Sequence, residues 1–242
     1  MGLPSLCRYG LVQHGRSISI PGLARPFTVW PSAYWFFNAV LDPATCVAAY
    51  QPILALDYAT SKINLANPGV QDAGDVNGGC NWDAANGWSF ASGDVTGKVY
   101  GAVVNTGYTI ITRFSNGIAS NDGALWGISG TVGAYESYVF PKRTSSNVVR
   151  YSKHGTVVDK APGTSSGIIA VAGTLAYRDG VDEGITLVNT MLNQNLGIGY
   201  RTQTTVATVQ SQWTGSIQAL AIYNTALTAA EIAALTAAMA AL

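Results

Sequence analysis

The sequence predicts an all-β protein: an antiparallel β-sandwich with an extended N-terminal arm and a short C-terminal helix. Three observations support this prediction. From Trp88 onward, short β-rich runs alternate with turn signals about every ten residues, as in sandwiches and barrels. No strand–helix–strand alternation occurs, and the one amphipathic helical pattern lies at the C-terminus. Five prolines fall within the first 45 residues, where they oppose a continuous helix or central strand.

The composition limits the class of protein. Its 242 residues suit one large domain, or one domain plus an extended arm. The net charge is zero and charged residues make up 11%, against about 25% in typical proteins, so no nucleic-acid partner is expected. So little charge indicates assembly, as a homo-oligomer or with other structural proteins; the alternative is a surface that is polar without being charged. The three cysteines include no C-x-x-C pair and predict neither a disulfide framework nor a zinc site.

The first 45 residues are expected to form an arm that mediates assembly. Aromatic residues crowd into its second half and form the expected assembly interface: Phe27, Trp30, Tyr34, Trp35, Phe36 and Phe37. The alternative is an irregular layer packed on the chain's own sandwich. Residues 46–81 are expected to be a linker that leads into the sandwich of residues 82–242.

The N-terminal region predicts neither a leader nor a membrane anchor. The first residues lack a charged segment followed by an apolar core, so no classical signal peptide is expected. Pro31, Asn38, Asp42 and Pro43 interrupt the apolar stretch 27–50 well short of the ~20 residues that a membrane span needs. Asp42-Pro43 instead predicts the start of a short helix.

The sandwich strands follow from the apolar runs. The predicted strands are Trp88–Phe90, Lys98–Val104, Tyr108–Phe114, Leu125–Ile128, Tyr135–Phe140, Val148–Tyr151, Ile168–Arg178, Leu196–Tyr200 and Trp213–Tyr223. Asp179-Gly180 is typical of a hairpin turn. Ile217 is out of phase with Leu220 and Ile222, which predicts a bulge between them.

The C-terminal helix is predicted by its cap and its apolar stripe. Thr228 and Glu231 have the spacing of a capping box, in which each side chain bonds the other residue's backbone N–H. The apolar residues that follow share one helical face: Ile232, Leu235, Met239 and Leu242.

Three segments resemble laminin-G-like and concanavalin-A-like jelly-roll domains. The first is the closing segment, whose matching residues are Trp213, Gly215, Ile217, Leu220, Ile222, Tyr223, Leu227, Thr228, Glu231 and Ile232. The second is the hairpin Leu175–Val181, and the third is the opening strand Ala85–Phe90. Together they cover roughly residues 82–242. With Ala49–Pro52 and Asn64–Gly69 upstream, the layout is similar to laminin-G-like proteins encoded by phages and prophages. This resemblance implies a jelly-roll fold on a virion or another extracellular surface.

The jelly-roll fold that the resemblance implies includes glycoside hydrolases, so the pattern of carboxylates bears on enzymatic activity. Glycosidic cleavage normally needs two carboxylates facing one bond, and related glucanases carry a Glu-x-Asp-x-x-Glu strand motif. The chain has no Asp/Glu-x-Asp/Glu pair, and its glutamates are Glu136, Glu183 and the capping Glu231. G-x-S-x-G is also missing. The sequence therefore predicts that the chain is not an enzyme, with Glu136 as the one candidate if it is a hydrolase.

Two kinds of binding site remain. Relatives of this fold often carry calcium at the sandwich rim, and Asp122, Asp179 and Asp182 are the candidate ligands; turn formation explains Asp122 and Asp179 equally well. Otherwise no cofactor is expected. An aromatic platform for carbohydrate would use Trp82, Trp126 and Tyr135, although a sandwich tryptophan such as Trp126 often belongs to the core.

These observations lead to three functional hypotheses. The first is a non-enzymatic structural or adhesion protein associated with a virion, displaying the jelly roll from its arm. The second is a lectin-like carbohydrate-binding module that contacts surface glycans. The third is a glycoside hydrolase of the same fold.

Overall fold

Two antiparallel β-sheets enclose one hydrophobic core, and a helix follows the last strand. The computed structural model describes residues 34–37, 41–76, 80–91, 98–104, 107–117, 123–128, 137–143, 146–188, 194–202, 209–210 and 213–242. Within these ranges, no helix is long and apolar enough to cross a membrane.

The elements alternate with short turns along the chain. In chain order, the strands of the described residues are β1 (Cys46–Tyr50), β2 (Gly74–Val76), β3 (Asn81–Asp83), β4 (Gly87–Phe90), β5 (Lys98–Val104), β6 (Thr109–Ser115), β7 (Trp126–Ile128), β8 (Ser137–Phe140), β9 (Val149–Lys153), β10 (Thr156–Lys160), β11 (Gly167–Ala172), β12 (Leu175–Arg178), β13 (Val181–Thr186), β14 (Gln194–Ile198), β15 (Arg201–Thr202), β16 (Val209–Gln210) and β17 (Gly215–Tyr223). The helices are α1 (Tyr58–Ser61) and α2 (Ala229–Ala240).

The strand order confirms the predicted all-β sandwich. The first sheet runs β13-β12-β11-β6-β17-β4-β3, and β1 also pairs with β17. Strand β4 pairs with the first part of β17 and β1 pairs with its last part. The second sheet runs β10-β9-β8-β7-β14-β5-β2, while β15 and β16 form a separate pair. Neighbours such as β6 and β17 are distant in sequence, so non-local pairing builds both sheets.

The core lies between the two sheets and is rich in aromatic side chains. Its largest fully buried members include Tyr50, Trp88, Phe114, Trp126, Tyr151 and Trp213. In β6, Ile110 and Phe114 belong to this core, and the alternation of a strand directs Arg113 to the opposite face. This division of β6 agrees with the period-two pattern of its sequence.

The segment expected to be a linker contributes strands to both sheets. Strand β1 pairs with β17, and β2 pairs with β5. Asn64 is fully buried and fastens the intervening loop: its Oδ1 accepts from the backbone N–H of Ala49 at 3.0 Å, and its Nδ2 donates to the carbonyl of Val70 at 2.8 Å. Because Ala33–Leu242 form one compact unit, residues 46–81 are part of the sandwich.

The hairpins confirm one predicted turn and correct one predicted strand. Asp179 (φ 49°) and Gly180 (φ 81°) connect β12 to β13, both in the left-handed region that a type I′ turn requires. The predicted single strand Ile168–Arg178 is wrong, since Gly173 (φ 56°) and Thr174 form a turn between β11 and β12. The apolar residues on both sides of Gly173 concealed this turn.

Both helix caps predicted from the sequence, at Thr228 and Asp42, are present. Thr228 Oγ1 accepts from the N–H of Glu231, and the Glu231 carboxylate accepts from the N–H of Thr228 at 2.7 Å. Asp42 caps a single 3₁₀ turn, Pro43–Thr45, which ends where β1 begins to pair with β17.

Lys153 brings a cationic side chain into the buried part of β9. The side chain is 1% exposed, and its Nζ donates to the carbonyl of Gly173 in the β11–β12 turn. No ion pair of the described residues includes Lys153. Burial therefore lowers the pKa of Lys153 from its ordinary 10.5 to about 8.

Replacing Lys153 with methionine is expected to change how stability depends on pH. Between pH 8 and 10.5 the unfolded wild type binds more protons than the folded wild type, so its free energy of unfolding rises with pH. Lys153→Met removes this gain, on the order of 2 kcal/mol between pH 7 and 10. Urea denaturation at pH 7, 8.5 and 10 measures the difference between the two proteins. A difference that is constant across this range would contradict the assignment.

Candidate ligand-binding site

A pocket of about 360 Å³ opens on the first sheet, beside the end of α2. Ligand sites commonly occupy 300–1,000 Å³. Its lining comes from β6, β11, β17, the β12–β13 turn and the helix: Arg113, Phe114, Ser115, Ser166, Gly167, Ile168, Asp179, Gln218 and Ala240. Because β12, β11, β6 and β17 are consecutive in the sheet, these distant segments meet at one end of the four strands.

The predicted bulge in β17 supplies one wall of the pocket. The register between β17 and β6 shifts between Ile217 and Ala219, which leaves Gln218 as the extra residue. The backbone carbonyl of Gln218 accepts from the N–H of Ile53 at 3.2 Å, and its side chain makes no hydrogen bond within the described residues. Bulges of this kind often redirect a side chain at a functional site.

Arg113 supplies a half-buried cation. Its Nη1 donates to the carbonyl of Met239 at 2.6 Å, near the end of α2. This is a favourable place for a cation, since unpaired carbonyls make the C-terminal end of a helix electronegative. Partial burial lowers the pKa of the Arg113 guanidinium. The bond to Met239 also holds the guanidinium in place at the wall of the pocket.

Asp179 supplies an exposed carboxylate whose position is fixed by the hairpin. Its N–H donates to the carbonyl of Ile168 at 2.8 Å, and its Oδ1 accepts from the N–H of Ile168 at 2.8 Å. Gly167 (φ 137°) packs against this carboxylate: a Cβ atom on residue 167 would lie 2.8 Å from Asp179 Oδ1. The second oxygen, Oδ2, makes no hydrogen bond among the described residues.

Two serines complete the lining of the pocket. The Oγ of Ser115 is buried and has no hydrogen-bond partner among the described residues. Buried polar atoms in native proteins are nearly always paired with protein groups, water or a ligand. With Ser166 at the opening, the pocket offers a guanidinium, a carboxylate, an amide and the Ser166 hydroxyl. Such a mixture of donors and acceptors suits a ligand with many hydroxyl groups.

The residues predicted for an aromatic platform do not line this pocket. Trp126 is 1% exposed and belongs to the core between the sheets, so it is corrected from a ligand platform to a packing residue. Trp82 is half-buried against the same core, and its Nε1 donates to the carbonyl of Pro52 at 2.8 Å. Tyr135 lies outside the described residues.

Two of the residues predicted for calcium lie in the described part of the chain, and each accepts a backbone hydrogen bond in its hairpin. Oδ1 of Asp179 accepts from Ile168, and Oδ1 of Asp182 accepts from the N–H of Gly184 at 2.8 Å. Within the described ranges no group of three or more His, Cys, Asp or Glu side chains converges as metal ligands would. Asp122 lies outside these ranges. Turn formation accounts for Asp179, and the calcium site stays a prediction.

Part of the predicted assembly interface packs on its own chain. Trp35, Phe36 and Phe37 are buried, and the hydroxyl of Tyr223 in β17 donates to the carbonyl of Phe36 at 2.9 Å. Tyr34 is half-buried and stacks on Phe36. These contacts match the alternative of an irregular layer on the sandwich. Phe27 and Trp30 lie outside the described residues.

Four of the polar residues that line the pocket were not predicted from the sequence: Arg113, Ser115, Ser166 and Gln218. Two features of the sequence mark three of them. Arg113 and Ser115 share the non-core face of β6, and the phase break in β17 marks Gln218. Neither feature showed that these residues meet.

Solved structures with a similar fold include a domain of an arabinanase and a sialidase. No protein-family model matches the sequence, and a search of curated proteins finds no match. Domain 4 of AbnA, a GH43 extracellular arabinanase from Geobacillus stearothermophilus solved with arabinotriose, is 13% identical, with a TM-score of 0.50 over 79% of this chain and 98% of that chain. Trypanosoma rangeli sialidase in complex with sialic acid is 14% identical, with a TM-score of 0.56 over 82% of this chain and 34% of that chain. The chain therefore shares a β-sandwich fold with these proteins and spans about a third of the sialidase.

The prediction that the chain is not an enzyme is wrong. The similar structures include a domain of a GH43 arabinanase and a sialidase, so this fold occurs in glycoside hydrolases. The missing Asp/Glu-x-Asp/Glu pair excludes one local motif, whereas carboxylates from distant segments can also meet. Enzymatic activity is therefore not excluded for this chain.

Proposed function

We propose that the chain is a lectin-like carbohydrate-binding domain and that the Arg113–Asp179 pocket is its glycan site. The pocket carries this proposal, because its polar groups match the alternating donors and acceptors of a sugar ring. The arabinotriose bound to the AbnA domain supports a sugar as ligand for a sandwich of this kind.

Asp179→Asn is expected to weaken glycan binding about tenfold or more. The amide keeps the Oδ1 acceptor that bonds Ile168, so the hairpin is retained, but it loses the negative charge that strengthens a bond from a sugar hydroxyl. Hydrogen bonds to charged groups contribute about 1.5–3 kcal/mol. A glycan array identifies the ligand, and calorimetry on the best ligand measures the loss.

Asp182→Asn is the matched control for this experiment. Asp182 lies in the same hairpin, is exposed and accepts from the N–H of Gly184, but it does not line the pocket. The control should bind like the wild type. If the wild type binds no glycan on the array, with or without calcium, the proposed function is wrong. Equal losses in both variants would remove the pocket as the binding site.

We further propose that this domain is displayed on a phage or prophage-encoded particle, as a structural or adhesion protein. The laminin-G-like resemblance and the low fraction of charged residues, 11%, support this placement. Mass spectrometry of purified particles from cells that encode the chain tests it. The chain should occur among the structural proteins, and its consistent absence from the particles would contradict the proposal.

A further inference from the structure

We propose that the pocket selects glycans that carry a carboxylate, and that Arg113 is the residue that recognises it. This inference rests on the proposed glycan-binding function and names the class of sugar. It is based on the hydrogen bonds that Arg113 makes, the ion pairs of two other arginines and the position of Asp179.

Arg113 uses only part of its hydrogen-bonding capacity within the described residues. Its Nη1 donates to the carbonyl of Met239 at 2.6 Å, which fixes the guanidinium without neutralising it. Nε and Nη2 make no hydrogen bond to the described residues. These two atoms form the edge of a guanidinium that holds a carboxylate through two parallel bonds.

Two other arginines show what this edge does elsewhere in the fold. In β9, Arg150 binds Asp159 through Nε and Nη2, both at 2.7 Å. In β12, Arg178 binds Glu183 through Nε at 2.7 Å and Nη2 at 2.9 Å. Arg113 is also a strand residue, but no ion pair of the described residues includes it. In Arg113, which lines a pocket, the same edge meets no carboxylate of the described residues.

Asp179 does not take this place and does not exclude an anionic ligand. No ion pair joins its carboxylate to Arg113. Asp179 is exposed, so water and salt screen its charge, whereas Arg113 is half-buried. A ligand carboxylate in contact with Arg113 is attracted at short range, while water and salt weaken the repulsion from Asp179.

The remaining polar groups suit the hydroxyls of the same sugar. Asp179 Oδ2 accepts hydrogen bonds, and both the Gln218 amide and the Ser166 hydroxyl donate and accept them. A sugar acid, such as a uronic or sialic acid, combines one carboxylate with several hydroxyls. Arg113 would then bind the carboxylate, and the other polar groups would bind the hydroxyls of the ring.

Binding to matched acidic and neutral glycans tests this selectivity. The probes are a galacturonic acid trimer against its methyl ester, and 3′-sialyllactose against lactose, measured by calorimetry at two salt concentrations. In at least one pair the wild type should bind the acid tenfold or more tightly than its neutral partner, and added salt should weaken the acid's binding more. Arg113→Gln should abolish the preference, and Arg113→Lys should retain the salt dependence with several-fold weaker binding.

Arg150→Gln is the control for loss of one positive charge, since Arg150 lies on the second sheet and does not line the pocket. It should leave the acid preference unchanged, and thermal melting should show that each variant is folded. Arg113→Lys keeps a donor for the Met239 carbonyl if Arg113→Gln unfolds. Equal binding of acid and neutral glycans, or a preference that survives in Arg113→Lys with unchanged affinity, would overturn this inference and leave the glycan-binding proposal intact. Failure to bind any glycan on the array would overturn both.

Discussion

Replacing Trp88 with alanine should lower the free energy of unfolding by about 3–5 kcal/mol. The side chain is 0% exposed in the core between the two sheets, and its ring lies 6.0 Å from that of Tyr50. Its Nε1 donates to the hydroxyl of Ser61 at 2.9 Å, which ties α1 to the sandwich. The substitution therefore creates a cavity and leaves the buried Ser61 without this bond. Urea denaturation with a fluorescence or circular dichroism readout measures the change.

Trp82→Ala is the matched control for the position of Trp88. Trp82 lies directly opposite Trp88 in the β3–β4 pair, but it is half-buried on an edge strand. Its replacement should cost clearly less, about 1–2 kcal/mol, because less apolar surface returns to water. Ser61→Ala measures the hydrogen bond alone. Equal losses for Trp82 and Trp88 would contradict the assignment of Trp88 to the centre of the core.

Gly199→Ala should lower the free energy of unfolding by about 2–4 kcal/mol. Gly199 follows β14 with φ at 78°, which an L-residue adopts only at a cost. A Cβ atom there would lie 2.4 Å from the ring of Phe90, and Phe90 is 4% exposed in the core. The ring has little room to move, so left-handed strain and overpacking add. Thermal and urea denaturation measure the loss.

Gly69→Ala separates the two contributions. Gly69 has a similar φ of 82° but no atom within 4 Å of the added Cβ, so its replacement should cost only the backbone strain, about 1 kcal/mol. Adding Phe90→Leu to Gly199→Ala should relieve the clash, so the double variant should lose less than the two single losses combined. Strict additivity would show that the Gly199–Phe90 contact is not the cause.

Local signals were enough to predict much of the fold. The capping box of Thr228 and Glu231, the Asp179-Gly180 turn and the bulge after Ile217 each depend on residues close in sequence, and all three are present. The turn at Gly173 was missed because no Asn, Asp or Pro accompanies it. Strands β1 and β2 were missed because their sequences are short and surrounded by turn residues.

The candidate site was harder to predict because it depends on which strands are neighbours. Arg113, Asp179 and Gln218 come from three separate parts of the chain, and only the order β12-β11-β6-β17 brings them together. Asp179 was selected for calcium because Asp182 follows nearby, whereas the structure uses it as an acceptor for Ile168. Burial of Phe36 could not be predicted from the sequence either, because its partner Tyr223 lies near the other end of the chain.

An NMR titration with the strongest glycan from the array tests the central claim, that the Arg113–Asp179 pocket is a glycan site. Backbone amide shifts of ¹⁵N-labelled protein report where the ligand binds. We expect saturable changes centred on Ser115, Ile168, Asp179 and Gln218, with saturation in Asp179→Asn only at about tenfold or more higher glycan concentration. Saturable changes confined to the second sheet, with these four amides unmoved, would contradict it.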